Sequence, residues 1–128
     1  MEDKKRKLLL IVEDEASLAK ALDKKFSSEN FEVIIAKDGE KGLSMALENH
    51  PEIILLDIVM PKLDGISMLK ELRKDSWGSS VPIIMLTNLS DAEKVAEATE
   101  SGVYDYLVKS DWKIADIVKK VNEVLKIS

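Results

Sequence analysis

The chain has 128 residues, a length typical of one domain, and 45% of them are hydrophobic, enough to cover both faces of a small sheet. The absence of cysteine excludes disulfides and thiolate metal sites, and a formal net charge of -5 argues against nucleic-acid binding through a broad basic face. The longest apolar stretch, residues 8–12, is too short to cross a membrane. The basic residues before it lead straight into this short run, so we expect no signal peptide. We therefore expect a globular cytoplasmic domain that does not contact membranes.

Five short apolar runs predict five strands. In chain order they are residues 8–12, 33–35, 53–56, 83–86 and, more weakly, 104–108. The first four runs do not alternate with polar residues, which is typical of strands that are buried on both faces of a parallel sheet.

Helical patterns lie between these runs. Apolar or small residues recur every three or four positions in five segments: Leu18, Leu22 and Phe26; Leu43, Ala46 and Leu47; Ile66, Leu69 and Leu72; Val95, Ala96 and Thr99; and Ile114, Ile117, Val118, Val121 and Leu125. The dipeptides Asp38-Gly39 and Asp64-Gly65 are turn or cap signals at helix starts. Strict alternation implies right-handed crossovers and a doubly wound α/β sheet. We predict one domain over residues 1–128, with five strands, five helices and no output domain after the last helix.

Acidic side chains follow two of the predicted strands. Glu13 and Asp14 come directly after the first strand, and Asp57 comes directly after the third. Because ligands bind outside the carboxyl ends of strands in a doubly wound sheet, these side chains are expected to converge if the two strands are neighbours. Converging carboxylates repel each other unless a cation compensates them, and Mg2+ prefers oxygen ligands. The pattern therefore predicts a magnesium site.

Two more polar residues are predicted at the same edge. Thr87 ends the fourth strand and offers a hydroxyl, and Lys109 follows the fifth and offers an ammonium that can reach a phosphate. Each residue alone is unremarkable, and a helix cap is a less favoured alternative explanation for Asp14. Asp57 is harder to explain in that way, because it ends a fully apolar strand, where charges are seldom found without pairing. The indication comes from all these side chains falling at strand ends on one side.

The ordered set of motifs resembles the receiver domain of bacterial response regulators in two-component signalling, in its single-domain, chemotaxis-regulator-like form. The resemblance covers essentially the whole chain. It rests on Glu13-Asp14, Asp57, the sequence MPKLDG at 60–65, Thr87, the sequence GVYDYLVK at 102–109 and the sequence AKDG at 36–39. The resemblance implies a flavodoxin-like fold with strand order 2-1-3-4-5.

The resemblance also implies a role for each site residue. Asp57 would accept a phosphoryl group from a phosphohistidine of a sensor histidine kinase or phosphotransfer protein. The other roles would be Mg2+ binding by Glu13, Asp14, Asp57 and the backbone carbonyl of Val59, phosphoryl contacts by Thr87 and Lys109, and an aromatic switch at Tyr106. Phosphorylation would change the face formed by the predicted fourth helix, fifth strand and fifth helix, to which a downstream protein target would bind.

The resemblance further implies that this phosphoprotein is no enzyme beyond catalysing its own phosphorylation and dephosphorylation. It would be a monomer or a phosphorylation-dependent dimer and would not contact nucleic acid directly. The chain departs from the family pattern at some positions near the site. Ser110 stands where the family has proline, so we expect a trans Lys109–Ser110 bond and a cap for the last helix at Ser110 or Asp111. Val59 and Leu89 are apolar where relatives often have polar residues, and we expect them to hinder the attacking water.

Three alternatives remain open from the sequence. An aspartate-nucleophile phosphatase of the haloacid dehalogenase type would carry DxD after the first strand, where this chain has Glu13-Asp14-Glu15. A flavin-binding module would carry a phosphate-cradling loop there, and three acidic residues would repel a phosphate. A degenerate receiver used only as a scaffold would lack some of the expected side chains, all of which are present.

Overall fold

The computed structural model describes residues 6–58, 60, 62–87, 96–97, 99–100, 102–103, 105–108 and 113–126, except for the side chains of Thr87, Asp105 and Val108. Its strands are β1 (Lys7–Val12), β2 (Phe31–Ala36), β3 (Ile53–Asp57), β4 (Ile83–Thr87) and β5 (Asp105–Val108). The helices within these residues are α1 (Ala16–Ser28), α2 (Gly39–Asn49), α3 (Gly65–Arg73) and α4 (Ile114–Leu125), the last of which is the predicted fifth helix. Residues 96–97 and 99–100 also have helical backbone and belong to the predicted fourth helix, whose other residues lie outside the described ones.

The five strands form one parallel sheet in the order β2-β1-β3-β4-β5. This confirms the predicted doubly wound, flavodoxin-like arrangement and its strand order. The register pairs Val12 with Ala36 on one side and with Leu56 on the other, so the carboxyl ends of β1, β2 and β3 lie side by side. No helix in the described part of the chain is both long and apolar enough to cross a membrane. The cytoplasmic location stays a prediction.

The core has one half on each face of the sheet, because successive strand residues point to opposite sides. Leu10, Val12, Ile54 and Leu56 belong to the cluster that also contains buried residues of α2 and α3. Leu9, Ile11, Ile53 and Leu55 belong to the cluster with buried residues of α1 and α4. All eight of these side chains have no exposed surface. This double burial explains why the strands read as continuous apolar runs rather than alternating ones.

The predicted apolar stripes are confirmed in α1, α3 and α4, but the stripe in α2 is wrong at one position. Leu47 is 38% exposed, and the buried residues of α2 are Gly39, Gly42 and Ala46. A Cβ atom at position 42 would lie 2.8 Å from Cγ1 of Val12. The small residues therefore form the face that approaches the sheet, which turns Leu47 toward solvent.

The start of α4 also differs from expectation. The helix begins at Ile114 with Lys113 as its N-cap residue, so the predicted cap at Ser110 or Asp111 is wrong. The backbone N–H of Lys113 donates a hydrogen bond of 2.8 Å to Oδ2 of Asp116. This carboxylate in the first turn satisfies a backbone donor that an uncapped helix start would leave open, and its charge suits the helix N-terminus.

Candidate functional site

Three acidic side chains meet at the carboxyl edge of the sheet. Glu13 and Asp14 follow β1, Asp57 ends β3, and β1 and β3 are paired neighbours. One carboxylate oxygen from each residue lies within 4.8 Å of those from the other two. The convergence expected from the sequence is therefore present. These three residues form the acidic cluster of the domain.

The members of the acidic cluster differ in their exposure to water. Glu13 is completely buried and Asp57 is 4% exposed, whereas Asp14 is exposed. Glu13 is held by its surroundings, since its N–H donates to the carbonyl of Ala36 at 3.0 Å and its Oε2 accepts from the N–H of Glu15 at 3.0 Å. The cluster is thus held in place at the buried Glu13 and is open to solvent at Asp14, where a ligand can enter.

Glu15 has only a structural position here. It is the N-cap residue of α1, and its side chain makes no capping hydrogen bond. Because Glu13 accepts from its backbone N–H, the buried carboxylate does part of the work of a helix cap.

The donor set of the acidic cluster fits a hard divalent cation. Three carboxylates so close together repel each other, and burial of two of them weakens the screening by water. Oxygen-only sites suit Mg2+, Ca2+ or Mn2+ rather than metals that prefer nitrogen or sulfur. The single histidine, His50, follows α2 at the opposite edge of the sheet, where it stacks on Trp77 with ring centroids 4.3 Å apart.

Asp57 is fixed by the chain that follows it. The N–H of Gly65 donates to the carbonyl of Ile58 at 2.8 Å and so closes the β3–α3 connection. A Cβ atom at position 65 would collide with the carbonyl oxygen of Asp57. Glycine therefore lets α3 begin directly against the end of β3. The side chain of Asp64 caps this helix start by accepting from the N–H of Ser67 at 2.9 Å.

The other predicted site residues are only partly described. Thr87 ends β4, where its backbone is in register with Val108 of β5. Tyr106 lies in β5 opposite Met85, and it is 44% exposed. Val59, Leu89 and Lys109 lie outside the described residues, as do Ser110 and Asp111, whose predicted capping role the start of α4 at Ile114 already contradicts. The structure therefore brings together Glu13, Asp14 and Asp57, and the roles of the remaining residues stay predictions.

The predicted fourth helix is attached to α3 through an ion pair. Nζ of Lys70 donates to Oε2 of Glu97, and both side chains are about half exposed. The hydrogen bond to Glu97, followed by the charge of that carboxylate, raises the pKa of Lys70. A pair this exposed contributes little to stability, but it marks where the helical residues 96–97 rest on α3.

Sequence reasoning missed two residues that shape the site. The sequence indicates Gly39 and Gly65 only as parts of helix-start signals, yet each leaves room for a backbone carbonyl, of Leu63 and of Asp57 respectively. The Asp-Gly dipeptide was the available signal in both cases. It does not reveal which distant carbonyl occupies the space, because that depends on the tertiary fold.

The family model of the response regulator receiver domain matches residues 9–122. This chain therefore belongs to the response regulator receiver domain family, the receiver domains of two-component response regulators. Membership decides against the phosphatase and flavin-binding alternatives that the sequence left open.

Individual relatives agree with this assignment. The chain is 46% identical over 101 residues to "Probable transcriptional regulator ycf27" of Porphyridium aerugineum, a match that covers 79% of this chain and 41% of that protein. It is similar in structure to the receiver domain of the Francisella response regulator 1452, with 33% identity, a TM-score of 0.85 and coverage of 94% of this chain and 98% of that chain. It spans about two fifths of the length of the first curated relatives. The absence of an output domain stays a prediction.

A third relative bears on the acidic cluster. The receiver domain of the sensor histidine kinase PA1611 of Pseudomonas aeruginosa PAO1 is 28% identical, with a TM-score of 0.84 and coverage of 92% of this chain and 96% of that chain. That receiver was solved with a magnesium ion coordinated in its active site cleft.

Proposed function

We propose that this receiver domain is a phosphoacceptor module of a two-component or phosphorelay system and that Asp57 is the residue that becomes phosphorylated. The observation that carries the proposal is the acidic cluster, in which the nearly buried Asp57 lies within 4.8 Å of two further carboxylates. An arrangement that costs so much repulsion is expected at a site that binds a cation and an anionic group together.

In the proposed reaction, a carboxylate oxygen of Asp57 attacks the phosphorus of a phosphohistidine on a sensor histidine kinase or phosphotransfer protein. The new bond joins this oxygen to phosphorus, while the phosphorus–nitrogen bond breaks and its electron pair stays on the imidazole nitrogen. Hydrolysis later returns the free carboxylate and inorganic phosphate. The domain thus catalyses only its own phosphorylation and dephosphorylation, and it is not an enzyme acting on a separate turnover substrate.

The residues at the site would have different roles in this reaction. Glu13, held by the N–H of Glu15, and Asp14, exposed to solvent, would bind Mg2+ together with Asp57 and the carbonyl of Val59. When bound, Mg2+ supplies charge neutralisation for the phosphoryl oxygens. From the family resemblance, Lys109 and Thr87 would contact the same oxygens. Positioning and charge compensation are the main requirements of phosphoryl transfer, and little other covalent help is needed.

Signalling would use the β4–β5 side of the domain. Tyr106 is 44% exposed on β5, next to the strand that ends at Thr87. We expect phosphorylation to draw Thr87 toward the phosphoryl group and Tyr106 inward, which changes the face of the predicted fourth helix, β5 and α4. A downstream protein would bind this face, or a second copy in a phosphorylation-dependent dimer. The domain itself, with a net charge of -5, would not contact nucleic acid.

A small phosphodonor provides the direct test. We expect the wild type, incubated with acetyl phosphate and Mg2+, to gain the mass of one phosphoryl group. The Asp57→Asn variant should gain nothing, because an amide is not a competent acceptor, and Asp23→Asn in α1 should behave as the wild type. A wild type that stays unmodified under all conditions would favour the scaffold alternative.

A further inference from the structure

The N-terminus of α2 lies against the β3–α3 connection. A Cβ atom at position 39 would overlap the carbonyl oxygen of Leu63 and lie 2.6 Å from its carbonyl carbon and 2.9 Å from its Cβ. These are backbone and near-backbone atoms, which cannot rotate away as the end of a long side chain can. Any side chain at position 39 therefore requires the backbone on one side to move.

Glycine is needed at this position for space rather than for conformation. Gly102 is the glycine with a positive φ among the described residues, so Gly39 adopts a backbone that other residues also adopt. Glycine is also a poor helix former compared with alanine, so the start of α2 gains nothing from it locally. The close contact with Leu63 therefore explains why position 39 is occupied by glycine.

Leu63 belongs to the short connection that begins at Asp57. The hydrogen bond from Gly65 N–H to the Ile58 carbonyl closes this connection at its base, and the backbone of Gly65 rests on the carbonyl of Asp57. A displacement of Leu63 therefore reaches Asp57 through a few residues. The nearby ion pair of Lys62 with Asp38 is 3.8 Å long and its lysine is 64% exposed, so it holds the two segments together only weakly.

The connection, rather than α2, is expected to yield to a side chain at position 39. The start of α2 is held by Asp38, whose Oδ1 accepts from the N–H of Lys41 at 2.8 Å and whose carbonyl accepts from Gly42 at 2.9 Å. Helix α2 also packs its small residues on the sheet. In the connection, by contrast, Lys62 already has a φ of 68°, a backbone conformation that is uncommon for residues other than glycine.

We propose that Gly39 is a positioning residue of the acidic cluster. Its missing side chain lets the β3–α3 connection lie against α2, and this contact sets the position of Asp57 relative to Glu13 and Asp14. It thereby sets the affinity of the site for Mg2+. The inference rests on the proposed function, because it assumes that the cluster binds this cation.

The test compares two glycine substitutions that create the same kind of collision at opposite edges of the sheet. Gly39→Ala presses on the carbonyl of Leu63, and Gly78→Ala presses on the carbonyl of Leu72, between α3 and β4. For the full chain, Mg2+ affinity is measured by titration calorimetry and stability by urea unfolding. We expect Gly39→Ala to weaken Mg2+ binding about tenfold, as changes to residues that orient metal ligands do. Gly78→Ala should leave the Mg2+ affinity within about twofold of the wild type, because a substitution far from the cluster is not coupled to it.

Each outcome has a distinct meaning. Equal Mg2+ affinities of the two folded variants would overturn the positioning role. If Gly39→Ala does not fold, Leu63→Gly is measured instead, because it removes the Cβ of Leu63 from this contact and makes the backbone of the connection less restricted. An unchanged Mg2+ affinity of Leu63→Gly would equally overturn the role. A wild type that neither binds Mg2+ nor accepts a phosphoryl group from acetyl phosphate would instead overturn the proposed function on which the role rests.

Discussion

Arg73, the last residue of α3, joins three segments at the sheet edge opposite the acidic cluster. Its Nη1 donates to the carbonyls of Gly78 at 2.7 Å and Val81 at 2.8 Å, and its Nη2 donates to the carbonyl of Gly102. Burial lowers the pKa of this guanidinium. The group nevertheless stays charged at neutral pH, because the ordinary pKa of arginine is far above it. A half-buried cation with three carbonyl partners is a stabilising contact rather than a surface charge.

We expect Arg73→Met to lower the free energy of unfolding by about 2 kcal/mol, because hydrogen bonds to a charged group are lost and the carbonyls are left without them. Urea unfolding of the variant measures this loss. Lys74→Met is the matched control, since Lys74 is 72% exposed and forms an ion pair with Glu71, three residues earlier. The control should change stability by less than about 0.5 kcal/mol. Similar losses in both variants would show that the three carbonyl contacts are not stabilising.

Single residues differ in how far the sequence could reveal them. The positions of Glu13 and Asp57 were predictable because a charge directly after an apolar run is unusual and the sheet rule places strand ends together. The contacts of Arg73 were not, because its partners are backbone carbonyls that any residue carries. The same holds for Gly39, whose neighbour Leu63 comes close only in the folded chain.

At the level of elements, the strands were predictable because burial on both faces leaves an unbroken apolar run. Helix α2 was the exception, since its buried face consists of Gly39, Gly42 and Ala46, which carry little hydrophobic signal. The sequence pattern therefore places Leu47 in the apolar stripe of α2, although the packing leaves this residue exposed. Small residues used for close approach escape a periodicity argument that counts large apolar side chains.

Helix α4 offers the clearest test at this scale. Ile117 is completely buried in the core half that includes α1, whereas Lys119, two residues later, is exposed. We expect Ile117→Ala to lower the free energy of unfolding by about 3 kcal/mol, through lost burial and the cavity left behind. Lys119→Ala should be close to neutral. Thermal or urea unfolding of both variants measures the difference, and a comparably small effect of Ile117→Ala would mean that α4 does not pack as described.

For the whole molecule, the two core halves and the acidic cluster have opposite effects on stability. The sheet buries apolar residues on both faces and holds the strand ends rigid, while the carboxylates at its edge repel one another. The chain as a whole is also acidic, with a net charge of -5. Functional sites commonly keep such locally unfavourable arrangements, at a cost that the rest of the fold offsets.

These opposite effects predict that the difference in stability between the wild type and an Asp14→Asn variant changes sign when Mg2+ is added. In EDTA, Asp14→Asn should raise the free energy of unfolding by about 1 kcal/mol, because it removes one of the mutually repelling charges at an exposed position. With Mg2+ at a hundred times its dissociation constant, the wild type should gain about 2.7 kcal/mol through binding to the folded state, and the variant should gain less. The wild type then becomes the more stable of the two.

Urea unfolding with and without Mg2+ measures both differences, and Glu48→Gln on the exposed surface of α2 controls for the loss of one negative charge. If Asp14→Asn is less stable than the wild type in EDTA, repulsion does not dominate the empty cluster; if Mg2+ stabilises both equally, Asp14 is not a ligand.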